Sequence, residues 1–237
     1  MSDINSTLLK CAKELNISIT DQQLKAFDIY CDLLLEWNEK INLTAITDKN
    51  LIAVKHFADS ISVLSYVNVK KNCKLIDVGT GAGFPGIPLA IMRNDIKLTL
   101  LDSLNKRLIF LKEVTNILGI ECEIIHSRAE EGSRQENLRD KFDIAISRAV
   151  APLNILSEYC MPFVKSKGMF ISMKGPNVQE EINNSTNAIA LLGGKVNNVK
   201  TFTLGDNNTR SIVVIDKLNK TKKEYPRHGS KISKQPL

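Results

Sequence analysis

The residues best equipped for chemistry lie in one stretch, Leu75-Ile-Asp-Val-Gly-Thr-Gly-Ala-Gly-Phe-Pro-Gly86. A loop this rich in glycine lets a ligand approach bare backbone at the carboxyl edge of a sheet. Two spacings are superimposed in it. Gly81, Gly83 and Gly86 satisfy G-x-G-x-x-G, the dinucleotide fingerprint, which alone is a weak signal. Asp77, Gly79, Gly81 and Gly83 satisfy D-x-G-x-G-x-G, the first motif of S-adenosyl-L-methionine-dependent methyltransferases. A carboxylate at Asp77 suits the ammonium and sulfonium of adenosylmethionine and would repel a pyrophosphate. Asp102 closes the next apolar run, where an acid can accept ribose hydroxyls in either kind of site.

The elements that hold these residues follow from periodicity. Thr20 and Gln23 form a capping box, and Leu24, Phe27, Cys31, Leu34 and Ile41 then recur along one helical face. Shorter stripes flank it at Leu8, Cys11, Ala12 and Leu15, and at Leu51, Val54, Phe57, Ile61 and Leu64. With no glycine before Gly79 and no proline before Pro85, the first third reads as an uninterrupted helical cap. Beyond Lys74, short apolar runs alternate with helical segments, as in a parallel sheet covered on both faces. Strands are predicted near 74–78, 97–101, 122–126, 142–147, 168–173, 196–203 and 210–217. The last two are separated by Gly205-Asp-Asn-Asn-Thr209, too short for a crossover helix, so they must pair antiparallel. The expected fold class is α/β, a Rossmann-like class I methyltransferase sheet of seven mostly parallel strands with a final antiparallel hairpin. That finish separates it from an NAD-dependent dehydrogenase. The expected divisions are a helical cap at 1–72, a core at 73–218 and a basic arm at 219–237, extended rather than part of the core.

Charge is distributed unevenly. The 237 residues carry a formal charge of +6, yet residues 1–216 hold 25 basic and 25 acidic side chains. All of the excess sits in the last 21 residues, where Lys217, Lys220, Lys222, Lys223, Arg227, Lys231 and Lys234 face one acid, Glu224. A neutral globule with a basic arm suits a polyanionic partner. If all seven met single-stranded phosphates, the salt dependence of binding would have a log-log slope of about 5. Truncation after Leu218 would then weaken RNA binding and spare cofactor binding. The five scattered cysteines show no metal-ligand spacing and read as reduced core residues. No leader-like pattern occupies Met1 to Leu9, and no apolar run is long enough to span a membrane, so a cytoplasmic location without metal or membrane association is expected.

The acceptor can be narrowed by chemistry. Exocyclic amines usually need an Asn/Asp-Pro-Pro-aromatic motif after the fourth strand, where this chain has Ser147-Arg-Ala-Val-Ala-Pro152. Pyrimidine C5 needs a nucleophilic cysteine, commonly in Pro-Cys, and none of the five fits. Guanine N7 carries an exposed, unprotonated lone pair and requires only alignment of N7, methyl and sulfur. A small-molecule methyltransferase and a non-catalytic RNA-binding assembly factor remain as alternatives on these grounds.

Six blocks in order, Trp37-Asn-Glu-Lys-Ile-Asn-Leu-Thr-Ala45, His56-Phe-Ala-Asp-Ser60, Gly83-Phe-Pro-Gly-Ile-Pro-Leu89, Ser127-Arg-Ala-Glu-Glu131, Ser147-Arg-Ala-Val-Ala151 and Met173-Lys-Gly-Pro176, resemble the bacterial ribosomal RNA small subunit methyltransferase G family. Tyr225-Pro-Arg227 and Lys234-Gln-Pro-Leu237 resemble its closing pattern, while His228-Gly-Ser-Lys-Ile-Ser233 departs from it. The resemblance implies methylation of N7 of guanosine 527, in the 530 loop of 16S rRNA, with naked 16S rRNA or the 30S subunit as partner. It implies that Gly79 and Phe84 line the adenosylmethionine site and that Ala129 and Glu130 meet its adenosine end. Arg148 would sit where cofactor and acceptor meet, positioning both without acting as a base; its guanidinium could also reach guanine O6 or N7. Lys174, Lys222, Lys223, Arg227, Lys231 and Lys234 are the candidate RNA contacts. His56 and Asp59 read as structural or RNA-facing, Asn42 as a substrate contact or a helix terminus, Phe84 as a lid or stacking surface on an exposed turn and Trp37 as core. Nothing in the sequence demands more than a monomer.

Overall fold

The structure, a computed structural model, describes residues 3–205 and 207–237. Met1, Ser2 and Asp206 lie outside the described residues, and with them the start of the 1–9 stretch and the tip of the turn expected at 205–209.

Helix α1 (Asp3–Glu14) leads to α2 (Asp21–Asn38), which opens on the expected capping box: the Gln23 N–H donates to the Thr20 hydroxyl, and the Thr20 N–H donates to Gln23 Oε1 at 2.9 Å. Leu24, Phe27, Cys31 and Leu34 are buried as the stripe requires, together with Tyr30. The cap is nevertheless interrupted, contrary to the expectation from missing glycine and proline. Asn38 Oδ1 accepts from the backbone N–H groups of Leu43 and Thr44 at 2.8 and 2.9 Å. That side chain competes with the helical ladder and stops α2, so a non-helical segment runs to Asp48. Asn42 is exposed, and the helix terminus falls to Asn38 instead. Asp48 then caps α3 (Lys49–Ile52), which widens into a π-helical turn, Ala53–Ala58, before α4 (Asp59–Ile61) and α5 (Val63–Tyr66).

The sheet comprises β1 (Lys74–Val78), β2 (Lys97–Asp102), β3 (Cys122–His126), β4 (Phe142–Arg148), β5 (Val164–Lys174), β6 (Gly194–Thr203) and β7 (Thr209–Lys217). Between them lie α6 (Gly86–Met92), α7 (Asn105–Ile117), α8 (Ala129–Gly132), α9 (Leu153–Cys160) and α10 (Val178–Leu191). The spatial order is β3-β2-β1-β4-β5-β7-β6. Strand β7 runs antiparallel to both β5 and β6, so the expected hairpin is present. The order reverses between β1 and β4, and a crevice opens at such a switch point beyond the carboxyl ends of the strands.

Cap and sheet share one core. Phe27, Phe57 and Ile61 pack in the same buried cluster as Leu75, Ile87 and Ile212, so position 72/73 is no packing boundary. Trp37 is partly buried against it. Four of the five free cysteines are buried, and Cys122 is half-buried. No helix among the described residues is long and apolar enough to cross a membrane.

The closing segment corrects the expectation of an extended arm. Helix α11 (Gly229–Lys234) buries Ile232 completely. Arg139 donates to the carbonyls of Thr221, Lys222 and Tyr225, and Arg134 to that of Pro226. Arg227 pairs with Glu158 at 2.7 Å, and its own backbone N–H donates to the same carboxylate at 2.6 Å. Glu158 is fully buried, and an unpaired charge there would be costly, so the arm folds back to neutralise it. Lys217 is buried as well, donating to the carbonyls of Met161 and Leu192 and to Thr221, and burial depresses its pKa to about 7. Two of the seven tail cations are therefore internal, and truncation after Leu218 would expose core rather than remove a free arm. We predict that Arg227→Ala costs about 3 kcal/mol or more of unfolding free energy. Urea denaturation measures it, and a change below about 1 kcal/mol would contradict the pairing described.

Candidate active site

The crevice holds a cavity of about 490 Å³ with two distinct ends. One end is lined by Gly81, Asp102, Arg107, Ala129 and Glu130, and the other by Thr44, His56, Phe84 and Arg148, with Gly79 and Val150 meeting between them.

The glycine loop is stapled from below. Asp77 is fully buried at the end of β1, and its Oδ2 accepts from the Thr80 hydroxyl at 2.7 Å and the Gly86 N–H at 2.8 Å. The second contact caps α6 from the strand that precedes it. Asp77 Oδ1 has no partner, and burial raises the carboxyl to about pH 6 against the opposing effect of those hydrogen bonds. Asp77 does not line the cavity; it shapes the loop above it through these two hydrogen bonds. Gly83 also lies off the cavity wall, where its φ of +96° and the proximity of Ile87 and the Tyr30 hydroxyl exclude a side chain. Gly79 (φ +71°) is hemmed in by Val150, whereas a Cβ at Gly81 would meet nothing within 4 Å. Gly81 is thus the point at which bare backbone faces open space. Tyr30 fixes the loop from the cap, its hydroxyl donating to the Ala82 carbonyl at 2.5 Å. That tie escaped the sequence reading, although Tyr30 lies three residues from Phe27 and four from Leu34 on the buried stripe, where a phenol needs a partner.

Asp102 is buried at the end of β2 and lines the cavity. Its Oδ2 accepts from the Gly81 N–H at 2.9 Å and from Arg107 at 3.4 Å, and its Oδ1 from the Leu104 N–H at 2.9 Å. A carboxylate offers about four acceptor positions, so one remains free on Oδ1, and the long Arg107 contact can yield another. Ala129 and Glu130 begin α8 opposite it, half-buried. A Cβ on Gly229 would strike the Glu130 carboxylate, so the closing segment lies directly behind this wall.

The cap end is organised around Arg148. The guanidinium sits 5.0 Å from the Phe84 ring, whose other neighbours include His56, stacked at 4.6 Å, Tyr30 at 5.4 Å and Phe57 at 6.1 Å. Phe84 is buried, a stacking surface rather than an exposed lid. Arg148 Nη1 donates to the Lys55 carbonyl at 3.1 Å and to Asp59 Oδ2 at 2.8 Å, and Nη2 to His56 Nδ1 at 3.3 Å. Asp59 also pairs with Arg210 at 3.1 Å. The π-helical turn aims the Lys55 carbonyl and His56 at one point, a use that periodicity could not signal. Burial, reinforced by Arg148, lowers His56 to about pH 3, so its ring is neutral. With both ring nitrogens engaged, His56 is no free base.

Lys174 does not present a free ammonium. It donates to the Ala151 carbonyl at 2.6 Å and to Glu181 at 2.8 Å, holding the loop after β4. Arg227 is likewise paired with Glu158. Lys222, Lys223, Lys231 and Lys234 are exposed. Among the described residues no cluster of three or more His, Cys, Asp or Glu is arranged to hold a metal ion.

A seven-stranded sheet with an antiparallel β7, a glycine loop after β1 and an acid at the end of β2 defines a class I adenosylmethionine-dependent methyltransferase. The fold is shared with solved structures such as a SAM-dependent methyltransferase from Aquifex aeolicus (TM-score 0.52, 18% identity, covering 76% of this chain and 97% of that one). The family model for rRNA small subunit methyltransferase G matches residues 23–213, and the chain belongs to that family. Relatives named ribosomal RNA small subunit methyltransferase G include one from Clostridium perfringens strain 13, 50% identical over 96% of each chain, and one from Alkaliphilus metalliredigens, 52% identical over 95% of each.

The residues present fit the cofactor: Gly81 offers open backbone, Asp102 keeps an acceptor position, and Asp77 places a buried carboxyl beneath the loop. A cationic ligand favours ionised Asp77. Because the folded carboxyl titrates near pH 6 rather than near 3.8, it is neutral below that pH and anionic above it. Adenosylmethionine affinity is expected to weaken as pH falls through 6, by at most about tenfold per pH unit. Calorimetric titration from pH 5 to 7.5 should show this dependence in the wild type and its absence in Asp77→Asn.

Proposed function

We propose that the protein transfers a methyl group from adenosylmethionine to N7 of a guanosine in the 530 loop of 16S rRNA, acting in the cytoplasm. The observation that carries this reading is the cap end of the cavity, where Phe84, His56 and Arg148 form a rigid stacked wall without a free general base. Bound adenosylmethionine supplies an electrophilic methyl on a cationic sulfur. Guanine N7 needs no deprotonation, so the protein's task is alignment and exclusion of water. Asp77, Gly79, Gly81, Gly83 and Phe84 shape the cofactor cradle in this reading, and Asp102, Ala129 and Glu130 bound its adenosine end.

Arg148 supports both ligands. Its Nε–H and one Nη2–H remain after the contacts to Lys55, Asp59 and His56, and either can serve a guanine edge or a phosphate. The exposed Lys222, Lys223, Lys231 and Lys234 are proposed as phosphate contacts that draw the RNA in, and Gly229 against Glu130 brings their segment beside the cavity.

Mapping N7-methylguanosine by aniline cleavage and primer extension of 16S rRNA, from cells with and without the protein, tests the assignment; unchanged methylation would overturn it. Tritiated-methyl transfer to 30S particles, free 16S rRNA and a metabolite pool identifies the substrate form. Replacing Lys222, Lys223, Lys231 and Lys234 with Gln should lower the log-log salt slope of RNA binding by up to about 3, at roughly 0.7 per phosphate contact. Adenosylmethionine affinity should stay constant in that variant, because no core pairing is lost.

A further inference from the structure

Loop 39–48 carries Thr44 to the cap end of the cavity, because Asn38 holds the backbone N–H groups of Leu43 and Thr44. The Thr44 hydroxyl oxygen lies 2.8 Å from His56 Nε2 and accepts from the Ile46 N–H at 3.0 Å. The direction of the first contact is fixed two residues away. A guanidinium can only donate, so His56 Nδ1, facing Arg148 Nη2 at 3.3 Å, must be the bare nitrogen. The neutral ring therefore carries its hydrogen on Nε2 and donates it to Thr44. Both acceptor positions of the Thr44 oxygen are filled by protein donors. What remains to it is its own hydrogen, on the wall of the cavity.

A hydroxyl that could ordinarily donate or accept is thus restricted to donating. We propose that Thr44 is a specificity-determining residue that donates a hydrogen bond to O6 of the target guanine. The inference rests on the reading above, that the cap end receives a purine N7 first. The edge that carries N7 carries O6 in guanine and an amino group in adenine. A purine presented by that edge must therefore show its position-6 substituent close to the reacting atom. Against Thr44, guanine completes a hydrogen bond, whereas adenine sets one donor against another and leaves both desolvated. Arg148 strengthens the effect by drawing electron density through His56, which makes Thr44 a better donor. A site that hydrogen-bonds a substrate group rejects analogues lacking that group more strongly than an apolar site can.

The test uses 30S subunits assembled on 16S rRNA bearing either guanosine or 2-aminopurine riboside at the target nucleotide. The analogue keeps N7 and the 2-amino group and lacks O6. Wild type should show kcat/KM about tenfold to a hundredfold lower on the analogue. Thr44→Val should lose a similar factor on guanosine and treat the two nucleotides alike, while Thr44→Ser restores both rate and discrimination. Affinity for S-adenosylhomocysteine, read by calorimetry, should remain within about twofold across the three proteins. Discrimination preserved in Thr44→Val would overturn the proposal. So would a loss of cofactor affinity matching its loss of kcat/KM, which would place the hydroxyl on the cofactor's carboxylate. Should Thr44→Val fail to fold, equal rates of the wild type on the two nucleotides would still overturn it. Silence of the wild type on guanosine-bearing subunits would overturn the underlying reading, whereas activity on guanosine with indifference to O6 overturns this inference alone.

Discussion

The guanidinium of Arg148 is the point on which three separately built parts of the molecule converge. It is carried by the end of β4, held by Asp59, His56 and the Lys55 carbonyl of the cap, and laid against Phe84 of the glycine loop. A largely buried cation requires compensation from several sides, and here the cap supplies the hydrogen-bond acceptors and the glycine loop the aromatic face. Sheet, cap and loop are therefore locked in register by one side chain. The stacked series Tyr30, Phe84 and His56 continues the same wall, and Tyr30 returns to the loop through the Ala82 carbonyl.

The electrostatic character of the site follows from that arrangement. Asp77 contributes a buried carboxyl below the loop with one oxygen unpartnered, and Arg148 a cation against the Phe84 ring. His56, stacked on Phe84 beside Arg148, is held neutral. A pocket with this polarity can receive a cationic methyl donor and present it to a neutral, unprotonated acceptor without moving protons. The absence of a free base is then a match to the acceptor's chemistry, and precision of alignment becomes the source of rate.

The closing segment shows how composition and structure can point in different directions. Seven basic residues suggest an extended polyanion-binding arm. Two of them are internal: Arg227 neutralises Glu158, and Lys217 is wrapped in carbonyls. The remaining Lys220, Lys222, Lys223, Lys231 and Lys234 decorate a folded strap, and the upper bound on the salt slope falls from about 5 to about 3.5. Because Gly229 abuts Glu130, the strap also backs one wall of the cavity.

What the amino-acid order determined by itself was everything set by local period and local backbone demand. The α2 stripe and its capping box, the seven strands, the antiparallel finish forced by a short turn, and the glycine spacing with Asp77 and Asp102 were all legible. These features depend on residues close in sequence. What only the tertiary structure decided was which charged and polar groups satisfy one another. Asn38 ending α2, Thr44 and His56 oriented by Arg148, Lys174 spent on Glu181, and Arg227 spent on Glu158 are pairings between distant segments. Burial makes each of them obligatory, since a desolvated charge or donor must find a partner, but the identity of that partner exists only once the chain has folded.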